Sequence, residues 1–229
     1  MLPLVLIPGM MCDGRLFSPQ IGAFSAGRSV HVADISRFDS MQALAARVLR
    51  DAPPRFALAG LSMGGIVAME VIRQAAARVA RLALLDTNPL AEAPNVARRR
   101  DPQMRKANAG GLAEVMREEM KPNYLASGED KTAILDLCMD MALSLGPDVF
   151  TRQSIALHDR PDQTETLRSY AGPTLILCGA EDRACPVSRH TLMHDLMPGS
   201  ELVIIEGAGH LPVLERPQET NEALGRWLS

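Results

Sequence analysis

Six short apolar segments recur along the chain, and most of them are continuous rather than alternating. They lie at residues 2–7, 30–33, 56–60, 82–85, 174–178 and 202–205. Continuous apolar runs are typical of parallel strands that are covered on both faces. Helical patterns fall between them, at 40–50, 64–77, 188–197 and 217–228. Strands that alternate with helices predict an α/β fold, with a mostly parallel sheet of about six strands flanked by helices.

The stretch from 88 to 165 interrupts this alternation because it contains no convincing strand. Its helical patterns fall at 94–107, 111–121, 129–144 and 147–158. We interpret the stretch as a helical insertion, which divides the chain into a core (1–87 and 166–229) and a cap (88–165). The basic run Arg98–Arg99–Arg100 predicts a solvated helix face, with the binding of an acidic substrate as the alternative.

Composition argues against nucleic-acid and membrane partners. The formal net charge is −3 and aromatic residues make up 3% of the chain, so we expect neither a basic field nor a stacking surface for nucleic acid. No apolar run reaches the roughly 18 residues of a membrane-spanning helix. The four cysteines form no C-x-x-C pair, and we expect a cytoplasmic protein with reduced thiols. No interface signature predicts an oligomeric state.

Ser62 lies between Gly60 and Gly64, directly after a predicted strand and before a predicted helix. Such a turn forces its central residue toward positive φ, and glycine removes the Cβ clashes at the flanking positions. The turn also presents the hydroxyl at a helix N-terminus, where backbone N–H groups stabilise a developing anion. This is the G-x-S-x-G nucleophile elbow in its required context. We therefore predict a nucleophile rather than a serine in an ordinary glycine-rich turn.

A serine nucleophile needs a base, and the base needs an acid that fixes its tautomer. Among five histidines, only His210 lies in a glycine-rich loop directly after a predicted strand, where the ligand crevice of a parallel sheet forms. The loop after the preceding strand offers Glu181 and Asp182, of which Asp182 is favoured. Asp86, at another strand end, is the rival. The predicted triad follows the order Ser62, Asp182, His210.

The tetrahedral intermediate also needs backbone donors. One predicted donor is the N–H of Met63, directly after the nucleophile. The second is expected in the loop after the first strand, where Gly9 lets the backbone approach closely; the N–H of Met10 is the first choice and that of Met11 the second. The residues predicted to line the substrate pocket are Met11, Cys12, His158 and Leu211.

These motifs together resemble the α/β-hydrolase superfamily, specifically the small cofactor-free hydrolases with GxSMGG elbows. The segments that carry the resemblance are LIPGM, GLSMGG, LLDTNP, GAEDRACP and GAGHLPVLERP. The chain has Pro8 where this family commonly has histidine before the glycine, and Leu61 where a histidine often precedes the serine. The resemblance implies that the usual N-terminal hairpin is absent and that residues 88–165 form a cap over the active site.

The residues and the resemblance together predict a serine hydrolase that cleaves carboxylic esters of small or medium size through an acyl-enzyme. Its expected partner is a small-molecule ester, and neither a metal nor an organic cofactor is expected. The same triad on the same fold also serves lactone hydrolysis, C–C bond hydrolysis, perhydrolysis and a menaquinone-synthesis-type lyase reaction. A non-catalytic binding protein on this scaffold is the alternative from a different class, and the presence of all three triad residues disfavours it.

Overall fold

The computed structural model describes residues 1–128 and 131–229, and these residues form one sheet of six parallel strands. The strands are β1 (Leu4–Ile7), β2 (Val30–Val32), β3 (Phe56–Leu61), β4 (Val79–Leu85), β5 (Thr174–Gly179) and β6 (Glu201–Ile205). Their order across the sheet is β2-β1-β3-β4-β5-β6. The predicted α/β architecture, with a parallel sheet of six strands, is confirmed.

Helices cover the sheet and fill the insertion. The helices are α1 (Ser18–Phe24), α2 (Met41–Asp51), α3 (Met63–Ala75), α4 (Pro94–Lys106), α5 (Leu112–Glu114), α6 (Thr132–Leu145), α7 (Pro147–His158), α8 (Thr164–Ser169), α9 (Val187–Leu196), α10 (Pro212–Glu215) and α11 (Pro217–Trp227). Among the described residues, none of these helices is both long and apolar enough to cross a bilayer.

The burial of the central strands explains why the sequence pattern predicted them correctly. Every residue of β1, β3 and β5 is buried, which matches their continuous apolar runs. β4 begins three residues earlier than predicted, because Arg81 interrupts its apolar pattern. The Arg81 guanidinium lies outside the core, where it donates hydrogen bonds to the carbonyls of Trp227 and Ser229 near the chain end. A charged residue therefore belongs to a strand whose other end is apolar.

Between β4 and β5 the described residues form helices and turns, without a strand. The predicted helix at 111–121 is irregular, because π-helical turns at Ala107–Gly111 and Val115–Met120 flank the short α5. Gly110 has φ 92°, which breaks the helical path. The predicted helix at 129–144 begins on two residues that lie outside the described ones, and α6 starts at Thr132. The division into core and cap stays a prediction.

Helix α3 lies against β1 through Gly64. A Cβ atom on Gly64 would stand 2.1 Å from the carbonyl oxygen of Ile7, and one on Gly60 would stand 2.2 Å from the carbonyl oxygen of Gly64. Backbone cannot give way as a flexible side chain does, so both positions require glycine. At Gly9 a Cβ would meet Leu61 and Ser62 at 3.4–3.5 Å, close to ordinary contact. Among these three glycines, the closest approach is therefore made at Gly64.

We predict that Gly64→Ala lowers the free energy of unfolding by about 1–3 kcal/mol, because the new methyl group overpacks α3 against β1. Gly22→Ala in α1 is the matched control, since a Cβ there meets no atom of the described residues within 4 Å. Alanine in a helix raises stability by up to about 1 kcal/mol relative to glycine. Urea unfolding followed by circular dichroism measures both values. Equal effects of the two substitutions would contradict the assigned role of Gly64.

Candidate active site

Ser62 occupies the sharp turn between β3 and α3. Its backbone has φ 54° and ψ −118°, and α3 begins at the next residue, Met63. The N–H of Ser62 donates to the carbonyl of Leu85 at 2.9 Å, and the hydroxyl of Thr87 donates to the carbonyl of Ser62 at 2.7 Å. The end of β4 therefore holds both sides of the strained residue. A positive φ at a non-glycine residue persists only where its surroundings fix it.

His210 and Asp182 form a buried hydrogen-bonded pair. The Nδ1 atom of His210 lies 2.9 Å from Oδ2 of Asp182. The other carboxylate oxygen accepts the backbone N–H groups of Ala184 and Cys185 at 2.8 and 2.9 Å. Burial acts to raise the pKa of Asp182, but the charge and hydrogen bond of His210, with these N–H groups, lower it below its ordinary value. The carboxylate is therefore charged and can orient the imidazole.

Asp86, the rival acid, lies close to the same pair but in a different electrostatic state. Its Oδ1 accepts the N–H of Gly179 at 2.9 Å, and its side chain is fully buried. Burial, followed by the negative charge of Asp182, raises the pKa of Asp86 well above its ordinary value. Its other oxygen, Oδ2, is buried and has no hydrogen-bond partner among the described residues, which also disfavours the charged form. Asp182, rather than Asp86, directly contacts the histidine.

His190, in α9, is buried. Its Nε2 accepts the N–H of Thr87 at 3.0 Å, in the segment that also braces Ser62. Desolvation lowers the pKa of His190 to about 4. The ring is therefore neutral at pH 7, with Nδ1 carrying the proton. These contacts give His190 a structural role.

The loop after β1 brings Met10 and Met11 to the elbow. Met11 has φ 55°, and its N–H donates to the Oε1 atom of Gln153 at 2.8 Å. The amide nitrogen of Gln153 donates in turn to the carbonyl of Ile35 at 3.1 Å. In the part of the chain that the structure describes, the N–H of Met10 has no acceptor. Met10, rather than Met11, therefore has a free N–H, and Met63 has one because it opens a helix.

A cavity of about 510 Å³ joins these groups. Ser62, His210, Met10 and Met63 line it, together with the predicted pocket residues Cys12 and Leu211. Two other predicted pocket residues do not line it. Met11 is fully buried beneath the loop, and the side chain of His158 is half exposed beside Asp159. Among the described residues, the Ser62 hydroxyl makes no hydrogen bond to the imidazole, so that contact belongs to the proposal below.

Glu215 supports the loop that carries His210, a role that was not predicted from the sequence. One carboxylate oxygen accepts the N–H groups of Gly209 and Leu211, on either side of His210. The other accepts the N–H of Ala126 at 2.9 Å and the ammonium of Lys131 at 2.7 Å. An acidic residue in the apolar stretch LPVLERP was the available signal. Its partners could not be identified from sequence because Ala126 and Lys131 lie in the insertion.

Tyr124 also contacts the histidine, from the insertion. Its carbonyl accepts the N–H of His210 at 2.6 Å, and its ring centroid lies 6.1 Å from that of the imidazole. The phenol ring lines the cavity. Tyr124 therefore belongs to the wall of the candidate site, and its spacing along the sequence gave no sign of this.

Asp182, Cys185 and His210 each offer one metal-ligating atom, and these atoms lie within 4.8 Å of one another. Their chemistry fits a hydrogen-bonded pair better than a metal centre. Asp182 already accepts three hydrogen bonds. Burial, together with the charge of Asp182, raises the pKa of the Cys185 thiol and opposes the thiolate that binds metals. That no metal or cofactor takes part stays a prediction.

Comparison with known proteins points to one family. The family model described as "Alpha/beta hydrolase family" matches residues 4–223. A pimeloyl-[acyl-carrier protein] methyl ester esterase from Klebsiella pneumoniae is 25% identical over 96% of this chain and 91% of its own length. The dihydrolipoyllysine-residue acetyltransferase component of the acetoin cleaving system from Pseudomonas putida is 29% identical over 73% of this chain. That match spans 44% of the Pseudomonas protein, less than half of its length.

Solved structures show the same architecture. A thermophilic esterase from Thermogutta terrifontis superposes with a TM-score of 0.92 and 27% identity, over 100% of this chain and 89% of the esterase. The enol-lactonase from Burkholderia xenovorans gives a TM-score of 0.88 at 20% identity, over 99% of this chain and 90% of that one. At that identity the second likeness shows the fold alone. The α/β-hydrolase fold expected from the motifs is confirmed.

We predict that Asp86→Asn does not destabilise the protein at neutral pH. Asn keeps an acceptor for Gly179 and cannot ionise. Because the native pKa of Asp86 is raised, the wild type loses stability relative to this variant as pH increases above the unfolded value of about 4. Urea unfolding at pH 4 and pH 7.5 measures the difference.

The control for this prediction is Asp86→Ala, which removes the acceptor as well as the charge. It leaves the buried N–H of Gly179 unpaired, at a cost of about 1–3 kcal/mol. An Asn variant that is much less stable than wild type at pH 7.5 would show that Asp86 is ionised in the native protein.

Proposed function

Since this chain belongs to the alpha/beta hydrolase family, we propose that it is a serine hydrolase that cleaves carboxylic esters of small or medium size through a triad of Ser62, His210 and Asp182. The observation that carries the proposal is the convergence of the three residues. Ser62, at a strained turn, and His210, paired with Asp182, line one cavity. Its esterase relatives support hydrolase activity in general. The catalytic triad of this chain is the more specific part of the proposal.

In the proposed first half-reaction, the imidazole of His210 takes the proton from the Ser62 hydroxyl. The oxygen attacks the ester carbonyl, and the N–H groups of Met63 and Met10 stabilise the oxyanion. Asp182 stabilises the imidazolium, which then gives its proton to the leaving alcohol. The products are an alcohol and an acyl-enzyme on Ser62. No metal or cofactor is needed for these steps.

In the second half-reaction, His210 takes a proton from water, and the resulting hydroxide attacks the acyl carbonyl. The same two N–H groups stabilise the second oxyanion. His210 then returns the proton to Ser62 as the acid is released. The cavity of about 510 Å³ has room for an acyl chain of small or medium size. The relative named as a pimeloyl-[acyl-carrier protein] methyl ester esterase supports an ester as the substrate.

We predict that the wild type hydrolyses p-nitrophenyl esters of short or medium acyl length and that Ser62→Ala lowers kcat by about 10³-fold or more. The matched control is Ser154→Ala, which removes a buried hydroxyl that has no partner among the described residues and does not line the cavity. This variant should keep the wild-type rate. Labelling by a fluorophosphonate probe, lost only in Ser62→Ala, provides an independent readout of the nucleophile.

The outcomes separate the alternatives. A labelled Ser62 with no turnover of any ester would favour lactone hydrolysis, C–C bond hydrolysis, perhydrolysis or the lyase reaction, all of which use the same triad. A protein that neither turns over esters nor reacts with the probe would favour a non-catalytic binding protein. Equal activity of wild type and Ser62→Ala would overturn the proposed nucleophile.

A further inference from the structure

Two buried arginines share one carboxylate in the wall of the cavity. The carboxylate of Glu92 pairs with the guanidinium groups of Arg100, at 2.6 Å, and of Arg160. The exposed fractions of the side chains are 9% for Arg100, 8% for Arg160 and 2% for Glu92. Arginine keeps its proton in proteins. The group therefore holds one more positive than negative charge, away from bulk water.

Both guanidinium groups have donors left over. In the part of the chain that the structure describes, Nη2 of Arg160 donates to no acceptor. Among the described residues, the one acceptor of Nη1 of Arg100 is the Sδ atom of Met10, at 3.6 Å, and a thioether is a weak acceptor. Burial is also the main cause that lowers the pKa of Arg160. A buried cation with unfilled donors is stabilised by an anion that supplies both charge and acceptors.

The other charged residues that line the cavity are also mainly positive. Arg99, Arg183 and Arg189 line it as well. Apart from Glu92, the carboxylate among its described lining residues is Glu119, which accepts a hydrogen bond from Gln103 at 3.0 Å. Five guanidinium groups thus face two carboxylates. A cavity with a positive wall concentrates anionic ligands.

The position of the arginine pair relates it to the chemistry. The contact of Arg100 with the Met10 side chain places the guanidinium beside the loop whose N–H is proposed to bind the oxyanion. Ser62 and Arg160 line the same cavity. An ester group at Ser62 and an anionic group at the arginine pair would therefore occupy one cavity.

We propose that the cavity takes esters that carry a carboxylate group, and that Arg100 and Arg160 bind this carboxylate. The inference rests on the proposed function for the ester end of the substrate. Guanidinium groups match the planar geometry of a carboxylate and bind it through paired hydrogen bonds. Half esters of short dicarboxylic acids are the simplest members of the class.

The test compares two ligands of closely similar shape, of which only the first is charged: monomethyl glutarate and the corresponding methyl ester with a terminal amide. Binding is measured by calorimetry on Ser62→Ala, so that it does not depend on turnover. We expect the carboxylate ligand to bind at least about tenfold more tightly, with a preference that falls as salt screens the charges. In Ser62→Ala/Arg160→Gln this preference should disappear.

Two exposed arginines supply a pair of variants with little risk to folding. Arg98 and Arg99 are neighbours on α4, but only Arg99 lines the cavity among the described residues. Arg99→Gln should reduce the preference for the carboxylate ligand about threefold, as expected for a partly screened charge. Arg98→Gln removes the same charge outside the cavity and should leave the preference unchanged.

Equal affinity for the two ligands, or a preference that survives both Arg160→Gln and Arg99→Gln, overturns the inference. Turnover by the protein with Ser62 intact separates this result from the proposed function. Hydrolysis of both esters at the same kcat/KM would refute the anion site and keep the hydrolase. A binding preference without hydrolysis of either ester would keep the anion site and count against the proposed ester chemistry.

Discussion

The contact between the end of β1 and the first turn of α3 is the constraint on which the rest of the site depends. Gly64 stands so close to the carbonyl of Ile7 that no side chain fits between them. This closeness turns the chain sharply enough to hold Ser62 at positive φ, with its hydroxyl on the cavity side of the sheet. In the described chain, the non-glycine residues with positive φ are Met11, Ser62 and Asp86, which follow β1, β3 and β4. Backbone strain is thus concentrated at the strand ends that build the cavity.

The pKa values of two neighbouring aspartates, Asp86 and Asp182, are shifted in opposite directions. Asp182 receives two backbone N–H groups and the imidazole, which hold it ionised. Asp86 receives one N–H group, and its burial, together with the charge of Asp182, raises its pKa well above the ordinary value. Separating the pKa values of adjacent acids in this way is common in active sites. In the proposed mechanism, Asp182 orients His210, and the raised pKa of Asp86 reduces the repulsion between the two acids.

The sequence predicted the sheet well because the central strands are buried on both faces and therefore read as unbroken apolar runs. It failed at the start of β4, where Arg81 reaches out to the chain end, and at the irregular helices around Gly110. Ser62, Asp182 and His210 could be selected because each lies in the turn or loop that follows a strand. Contacts from the insertion, such as those of Gln153 and Glu215, depend on how distant segments meet, and local pattern carries no information about that. For the same reason, Met11 and His158 were expected in a pocket wall that they do not line.

The loop of His210 is fastened to the insertion at several points. The N–H of His210 donates to the carbonyl of Tyr124. Glu215 links the residues on either side of His210 to Ala126 and Lys131 through hydrogen bonds. Tyr124 is also part of the cavity wall. A displacement of Tyr124 would therefore also disturb His210, the proposed base. In the proposed mechanism, the shape of the cavity wall and the alignment of the base therefore depend on the same set of hydrogen bonds.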